Sequence, residues 1–197
     1  MQIPGRAVEP TLSAKTLLDG AALTRTLSRI AHELIERNDD LESLALVGIR
    51  TRGVPIAERL AQLIEERSGV EVGLGAVDIT FHRDDREPVA DDAQPVVHAT
   101  ELDFALEGTT CVLVDDVLYT GRTIRAAIET LFTHGRPARV QLAVLVDRGH
   151  RELPIRPDYV GKNLPTSRRE RIQVQLVETD EVDRILLVGV AEEVTRV

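Results

Sequence analysis

Aromatic residues are scarce in this sequence: three Phe, two Tyr and no Trp, 3% of 197 positions. A core must therefore be built from Val, Leu, Ile and Ala. With hydrophobic residues at 43%, that composition favours an α/β fold, whose buried strands read as aliphatic runs. Cysteine occurs once, so no internal disulfide can form. Cys111 lies inside the apolar run Cys111-Val112-Leu113-Val114 and reads as a small buried hydrophobe, not a ligand or nucleophile. No apolar stretch approaches the roughly 20 residues of a membrane span. Met1 to Glu9 lacks the apolar core and basic flank of a signal peptide, so a cytoplasmic location is expected. Positive charge is also short: 24 Lys and Arg face 33 Asp and Glu, a net charge of −9. Taken alone, this speaks against a polyanionic partner. No internal repeat or low-complexity linker is present. There is no G-x-x-x-x-G-K-[ST] phosphate loop, and Gly73-Leu74-Gly75 lacks the third glycine of a dinucleotide fingerprint. The length suits a single domain.

The charge is uneven. Asp78 to Asp103 carries eight acids and only Arg83 and Arg86 as bases. Residues 147 to 171 carry seven Arg or Lys (Arg148, Arg151, Arg156, Lys162, Arg168, Arg169, Arg171) against four acids. Net charge is a poor guide when segments differ this much.

Periodicity predicts a helix over about Gly20–Arg37, with Leu23, Leu27, Ile30, Leu34 and Ile35 on one face and Arg25, Arg29 and His32 in line on the other. By spacing alone the second face is an ordinary solvated one. Leu44 to Ile49 reads as a buried strand, Arg50-Thr51-Arg52-Gly53 as a short loop, and Pro55 as the first turn of a helix ending near Gly69. Val70 to Thr80 reads as one or two strands, and Phe81 to Val97 as a long acidic loop of the kind that is functional or disordered. Cys111 to Val114 predicts a strand, Ile124, Ala127, Ile128 and Leu131 a helix, and Val140 to Val146 a strand. Residues 147–171 read as irregular and basic; Ile172 to Val177 and Ile185 to Val190 read as late strands, an antiparallel edge being one arrangement. Alternating strands and helices imply a parallel sheet with ligands at the carboxyl ends of its strands.

The chemistry concentrates in Cys111 to Thr123. An aliphatic strand delivers Asp115 and Asp116 to the sheet rim, followed by Val117-Leu118-Tyr119 and the turn Thr120-Gly121-Arg122-Thr123, where a helix begins. Free backbone N–H groups and the positive end of the helix dipole converge there, which suits a phosphate. Carboxylates just upstream can accept hydrogen bonds from sugar hydroxyls or hold a metal through water.

This strand, acid pair and T-G-R-T turn resembles the phosphoribosyl-pyrophosphate (PRPP) motif of type I phosphoribosyltransferases. Val146-Asp147-Arg148-Gly149-His150-Arg151-Glu152-Leu153-Pro154-Ile155-Arg156 and Asp158-Tyr159-Val160-Gly161-Lys162-Asn163-Leu164-Pro165-Thr166-Ser167 are similar to the PyrR family, in which pyrimidine-gene regulation and uracil phosphoribosyltransferase activity are combined. Ser28-Arg29-Ile30-Ala31-His32-Glu33 and Arg50-Thr51-Arg52-Gly53 resemble it too, so the likeness runs from about residue 16 to 178. Phe81-His82 stands where the family usually has Leu-Tyr.

The resemblance implies a central parallel sheet flanked by helices, with a small hood at about 147–171, and transfer of a phosphoribosyl group from PRPP to uracil, giving UMP. Asp115 and Asp116 would bind the ribose hydroxyls and favour a cationic transition state. Thr51 and Arg52 would hold the pyrophosphate, and the span from Val117 to Thr123 would complete the PRPP site around the 5′-phosphate. Mg2+ would come with PRPP, Asp115 and Asp116 being its candidate protein ligands. The loop with Arg83, Asp84 and Asp85 would close over the site, Arg83 acting in catalysis. Arg148, Val160 and Lys162 would meet the base. A messenger-RNA stem-loop, bound more tightly with UMP, would meet Arg25, Ser28, Arg29, His32, Lys162, Arg168 and Arg169, the helix stripe lying apart from the PRPP loop. A homodimer or homotetramer is implied. Two other readings stay open: a non-catalytic nucleotide sensor on this fold, and a salvage transferase for another base.

Overall fold

The computed structural model describes residues 12–79 and 100–190; the loop with Phe81, His82, Arg83, Asp84 and Asp85 lies outside them. Among the described residues the order is β1 (Leu12–Asp19), α1 (Gly20–Arg37), β2 (Leu44–Ile49), α2 (Gly53–Ser68), β3 (Gly73–Val77), β4 (Glu101–Leu102), β5 (Thr110–Leu118), α3 (Arg122–His134), β6 (Arg139–Asp147), β7 (Tyr159–Asn163), β8 (Arg171–Gln175), α4 (Val177–Asp180) and β9 (Arg184–Val190).

The larger sheet has the order β4-β3-β2-β5-β6-β7. All its pairings are parallel except β3 with the two-residue β4. The aliphatic runs become its centre, and their side chains alternate between the two faces. Leu44 and Leu46 of β2 and Val112 and Val114 of β5 pack with Leu23, Leu27, Ile30 and Leu34 of α1 and Ile56, Leu60 and Ile64 of α2. Val47, Ile49, Cys111 and Leu113 face the other way, onto Ile124, Ala127 and Leu131 of α3. Each such Leu or Ile, fully buried, contributes about 1.5–3 kcal/mol, so the two layers are held mainly by aliphatic side chains. Cys111 is fully buried, as expected, and burial pushes its thiol up to about 11.

Helix boundaries follow local chemistry. Asp19 caps α1 by accepting from Ala22 N–H at 2.8 Å. Gly69 ends α2 in the left-handed region at φ +73°, its N–H donating to Glu65 O.

Two features were not read from the sequence. The segment 147–171 is not irregular throughout: Tyr159–Asn163 forms β7, the edge of the large sheet. Tyr159 is fully buried, and its hydroxyl accepts from Asn38 Nδ2 at 3.0 Å, tying β7 to the end of α1. The late strands do pair antiparallel, but in a separate three-stranded sheet, β1-β9-β8, that also recruits the first described strand. This small sheet touches the large one where β8 meets β5.

Candidate active site

β2 and β5 are parallel neighbours with Gly48 opposite Val114, so the loops after both emerge side by side at the carboxyl end of the sheet. β5 runs further than its apolar run predicts, through Asp115, Asp116, Val117 and Leu118, so the acid pair belongs to the strand. Asp115 is 8% exposed and its Oδ1 accepts from Asp116 N–H at 2.9 Å. Asp116 Oδ1 accepts from Val117 N–H at 2.7 Å. Burial holds the Asp116 carboxyl above the usual carboxylate range, against the opposing pull of the Val117 hydrogen bond and the Arg52 charge.

The turn that follows is held from two sides. Gly121 sits at φ +94°, a conformation that disfavours any side chain, and caps α3. Thr120 Oγ1 accepts from Arg122 N–H at 3.3 Å, while Thr120 O accepts from Glu152 N–H at 3.0 Å and Leu153 N–H at 3.2 Å. The Arg122 side chain turns to Glu152 (2.9 Å). Thr123 lies in the first turn of α3.

On the other loop, the Arg50–Thr51 peptide is cis. Gly53 lies against β5, where an added Cβ would come within 2.2 Å of Val114 O. This close approach brings Arg52 to Asp116, and both line a cavity of about 340 Å3 with Arg171, Ile172, Gln173, Val174 and Val188. The Nε atoms of Arg50 and Arg52 are shielded from solvent without a hydrogen-bond partner among the described residues. Two arginines with donors to spare, beside an acid pair and a helix N-terminus, can receive an anion and sugar hydroxyls together. A larger cleft of about 500 Å3 elsewhere is lined by Glu58, Glu65, Glu71 and Asp103 with no cation, and is unsuited to phosphate.

The segment from Arg148 braces this region. Arg148 is buried; its Nε donates to Thr166 Oγ1 at 3.0 Å and its Nη2 to Glu170 O at 2.9 Å, and the guanidinium stacks 4.0 Å from the Tyr119 ring. Its donors are thus engaged in holding residues 166–170, and burial lowers its pKa. Arg151 was not singled out by sequence. Its guanidinium donates to Tyr119 O (2.7 Å) and Ile155 O (2.9 Å) and pairs with Asp147. Val160 lies in β7, while Lys162, Arg168 and Arg169 are exposed.

On α1, Arg25, Arg29 and His32 are exposed as expected. His32 pairs with Glu36 on its own helix face, at 3.3 Å with both side chains over 60% exposed. Ser28 Oγ accepts from Arg67 Nη2 at 2.5 Å. Arg29 behaves differently: besides pairing with Glu33 it donates to Val160 O at 2.8 Å and Gly161 O at 2.6 Å. The stripe therefore reaches the segment expected to meet the base. Periodicity places a residue on a face but says nothing of a partner 131 positions away. Arg83 lies outside the described residues.

Among the described residues no group of three His, Cys, Asp or Glu could enclose a metal. A hard divalent ion that keeps its waters and substrate oxygens needs only one or two carboxylates, and Asp115 and Asp116 fit that share.

Residues 13–179 match the phosphoribosyl transferase domain family. The chain is 56% identical over 171 residues to the bifunctional protein PyrR of Clostridioides difficile (strain 630), covering 87% of this chain and 96% of that one. It is 55% identical over 177 residues to the bifunctional protein PyrR of Deinococcus radiodurans, covering 90% and 96%. Its fold is similar to the hypoxanthine phosphoribosyltransferases of Trypanosoma cruzi (TM-score 0.66, 18% identity, 90% and 97% covered) and Staphylococcus aureus (TM-score 0.64, 18% identity, 91% and 93% covered). The structures speak for the type I phosphoribosyltransferase fold alone; the sequence relatives carry the family, and the chain belongs to the PyrR family.

Proposed function

We infer that the protein transfers a phosphoribosyl group from PRPP to uracil and regulates pyrimidine genes, the two activities its family combines. The observation that carries the catalytic reading is the meeting of Arg52 and Asp116 on one cavity at the carboxyl ends of β2 and β5. In this reading uracil N1 bonds to the anomeric carbon of PRPP as that carbon's bond to pyrophosphate breaks, and the N1 proton passes to the departing pyrophosphate or to water. Asp115 and Asp116 accept hydrogen bonds from the ribose hydroxyls, and their charge favours the oxocarbenium-like transition state. Thr51 and Arg52 hold the leaving pyrophosphate. The Thr120–Thr123 turn holds the 5′-phosphate mainly with backbone N–H groups, since the Arg122 side chain turns to Glu152. The resemblance implies Mg2+ with PRPP; held beside Asp115 and Asp116, it would neutralise the leaving group. Val160 backbone and Lys162 meet the base, and Arg148 acts by holding its surroundings.

The RNA surface comprises Arg25, Ser28, Arg29, His32, Lys162, Arg168 and Arg169, in a cytoplasmic homodimer or homotetramer. Incubation with uracil, PRPP and magnesium, and in parallel with hypoxanthine, tests the reading. UMP forms with uracil only; product from hypoxanthine alone would make this a salvage enzyme, and no product from either a sensor.

A further inference from the structure

The turn between β8 and β9 lies outside the sequence motifs, yet it grips the loop assigned to pyrophosphate. Arg52 Nη2 donates to both oxygens of Asp180, at 2.9 and 3.2 Å. The Asp180 carboxylate is itself fixed by its own turn: Oδ2 accepts from Thr179 Oγ1 at 2.6 Å and from Leu176 N–H at 3.1 Å. That turn is clamped in turn to α2. Arg59 makes a fork to Glu178, with Nε and Nη2 each at 2.7 Å, and a second to Asp183, at 2.8 and 2.9 Å. Strand, anion loop and helix on one side are thus joined to the β8–β9 turn by two arginines.

We propose that Asp180 is a positioning residue for phosphoribosyl transfer: it holds the Arg52 guanidinium on the wall of the active-site cavity, ready for pyrophosphate. The inference rests on the placement of pyrophosphate at Thr51 and Arg52. Both carboxylate oxygens converge on a single nitrogen of Arg52, and a guanidinium has five N–H donors, so the pair leaves donors for an incoming anion. An arginine on an open loop would lose its rotamer freedom on binding; here Asp180 has already removed it. Because Asp180 is held by Thr179 and Leu176, it is a fixture against which Arg52 is set, not a mobile competitor for it. Asp180 touches no reacting atom in this reading and acts through Arg52.

The test compares steady-state constants for Asp180→Ala, Asp180→Asn and Arg52→Gln in the full chain, with thermal unfolding as a folding control. Asp180→Ala is expected to raise the KM for PRPP about tenfold while the KM for uracil stays within about twofold, the penalty of a misplaced binding group. Asp180→Asn, which keeps the shape and an acceptor oxygen, should recover part of the loss. A KM for PRPP that is unchanged or lowered in Asp180→Ala overturns the proposal, a lowered value identifying Asp180 as a competitor. Arg52→Gln separates the two layers. If it leaves the KM for PRPP unchanged, the pyrophosphate placement itself is wrong; if it raises it while Asp180→Ala does not, only the role of Asp180 falls. Should Asp180→Ala not fold, the exposed Thr179→Val, which removes one bond to Asp180 and touches nothing in the cavity, decides: a rise of about twofold supports the proposal and no rise overturns it.

Discussion

The Arg29 guanidinium donates to the Val160 carbonyl at 2.8 Å, so a side chain on the outer face of α1 is bonded to the strand proposed to meet uracil. Its second bond, to Gly161 O, falls where the strand has no room to move: a Cβ on Gly161 would lie 2.4 Å from Leu145 O and 2.7 Å from Thr26 Cγ2. The proposed RNA face and the proposed base site, which have Lys162 in common, are therefore also joined through Arg29.

Arg29→Ala should accordingly affect both activities. Hydrogen bonds to a charged group contribute about 1.5–3 kcal/mol, less where exposed as here, so a rise of roughly threefold in the KM for uracil is expected beside weaker RNA binding. His32→Ala should weaken RNA binding alone, since among the described residues the partner of His32 is Glu36 on its own helix face. Uracil kinetics and stem-loop titration on both variants check this. Equal uracil constants in Arg29→Ala and wild type would leave the bond to Val160 without catalytic consequence.

What could be read in the sequence was what has a local signature. α1 matches its periodic stretch, and Leu44–Ile49 and Cys111–Val114 announce strands because both faces of a central parallel strand are buried. Asp115, Asp116 and Gly121 were legible because a strand, an acid pair and a glycine turn are contiguous. β1 was not: its pairing with β9 joins residues some 170 positions apart, such as Ser13 and Gly189, and one strand's pattern does not name its partner. β7 was hidden by polarity, since an edge strand with Lys162 and Asn163 exposed lacks an aliphatic run. Arg59 and Asp180 carry no motif at all; they matter only because the chain's second sheet returns beside α2.

For the acid pair, Asp116→Asn removes a negative charge but keeps an oxygen to accept from Val117 N–H. Turnover should fall about tenfold or more, at least roughly 1.4 kcal/mol of transition-state stabilisation, with little change in unfolding temperature. Asp115→Asn should behave alike, its oxygen still accepting from Asp116 N–H. Wild-type turnover in both variants would reduce the pair to a polar strand end.

The Arg59 clamp predicts a pH signature. Its forked hydrogen bonds hold the Asp183 carboxyl below the usual range and raise the Arg59 pKa. An acid whose folded-state pKa is depressed adds stability that is fully present above its unfolded pKa, about 3.9, and is lost as pH falls through the folded value. Arg59→Gln should therefore cost about 1–3 kcal/mol at pH 7, between the ranges for exposed and buried pairs, and less below about pH 4. Denaturant unfolding of both proteins at pH 7 and pH 3.5 measures it. A gap that does not shrink at the lower pH would assign the loss to packing of the arginine stem instead of charge.

Arg151 offers a test of the proposed phosphate turn from behind. Its guanidinium spans Tyr119 O and Ile155 O while pairing with Asp147, so it sets the backbone immediately before Thr120. Lysine keeps the charge and can keep the Asp147 pair, but it has a single ammonium and cannot fork across separated carbonyls. Arg151→Lys should thus leave the ion pair in place and loosen the turn. If the Thr120–Thr123 N–H groups hold the 5′-phosphate, kcat/KM for PRPP should fall about tenfold, roughly 1.4 kcal/mol. UMP, which carries the same phosphate, should bind correspondingly more weakly, while free uracil, which lacks it, should show an unchanged KM. Calorimetric titration with UMP beside the kinetics separates the cases. A variant that weakens uracil and UMP alike but leaves kcat/KM for PRPP unchanged would move the phosphate away from this turn and make Arg151 a brace of the base site.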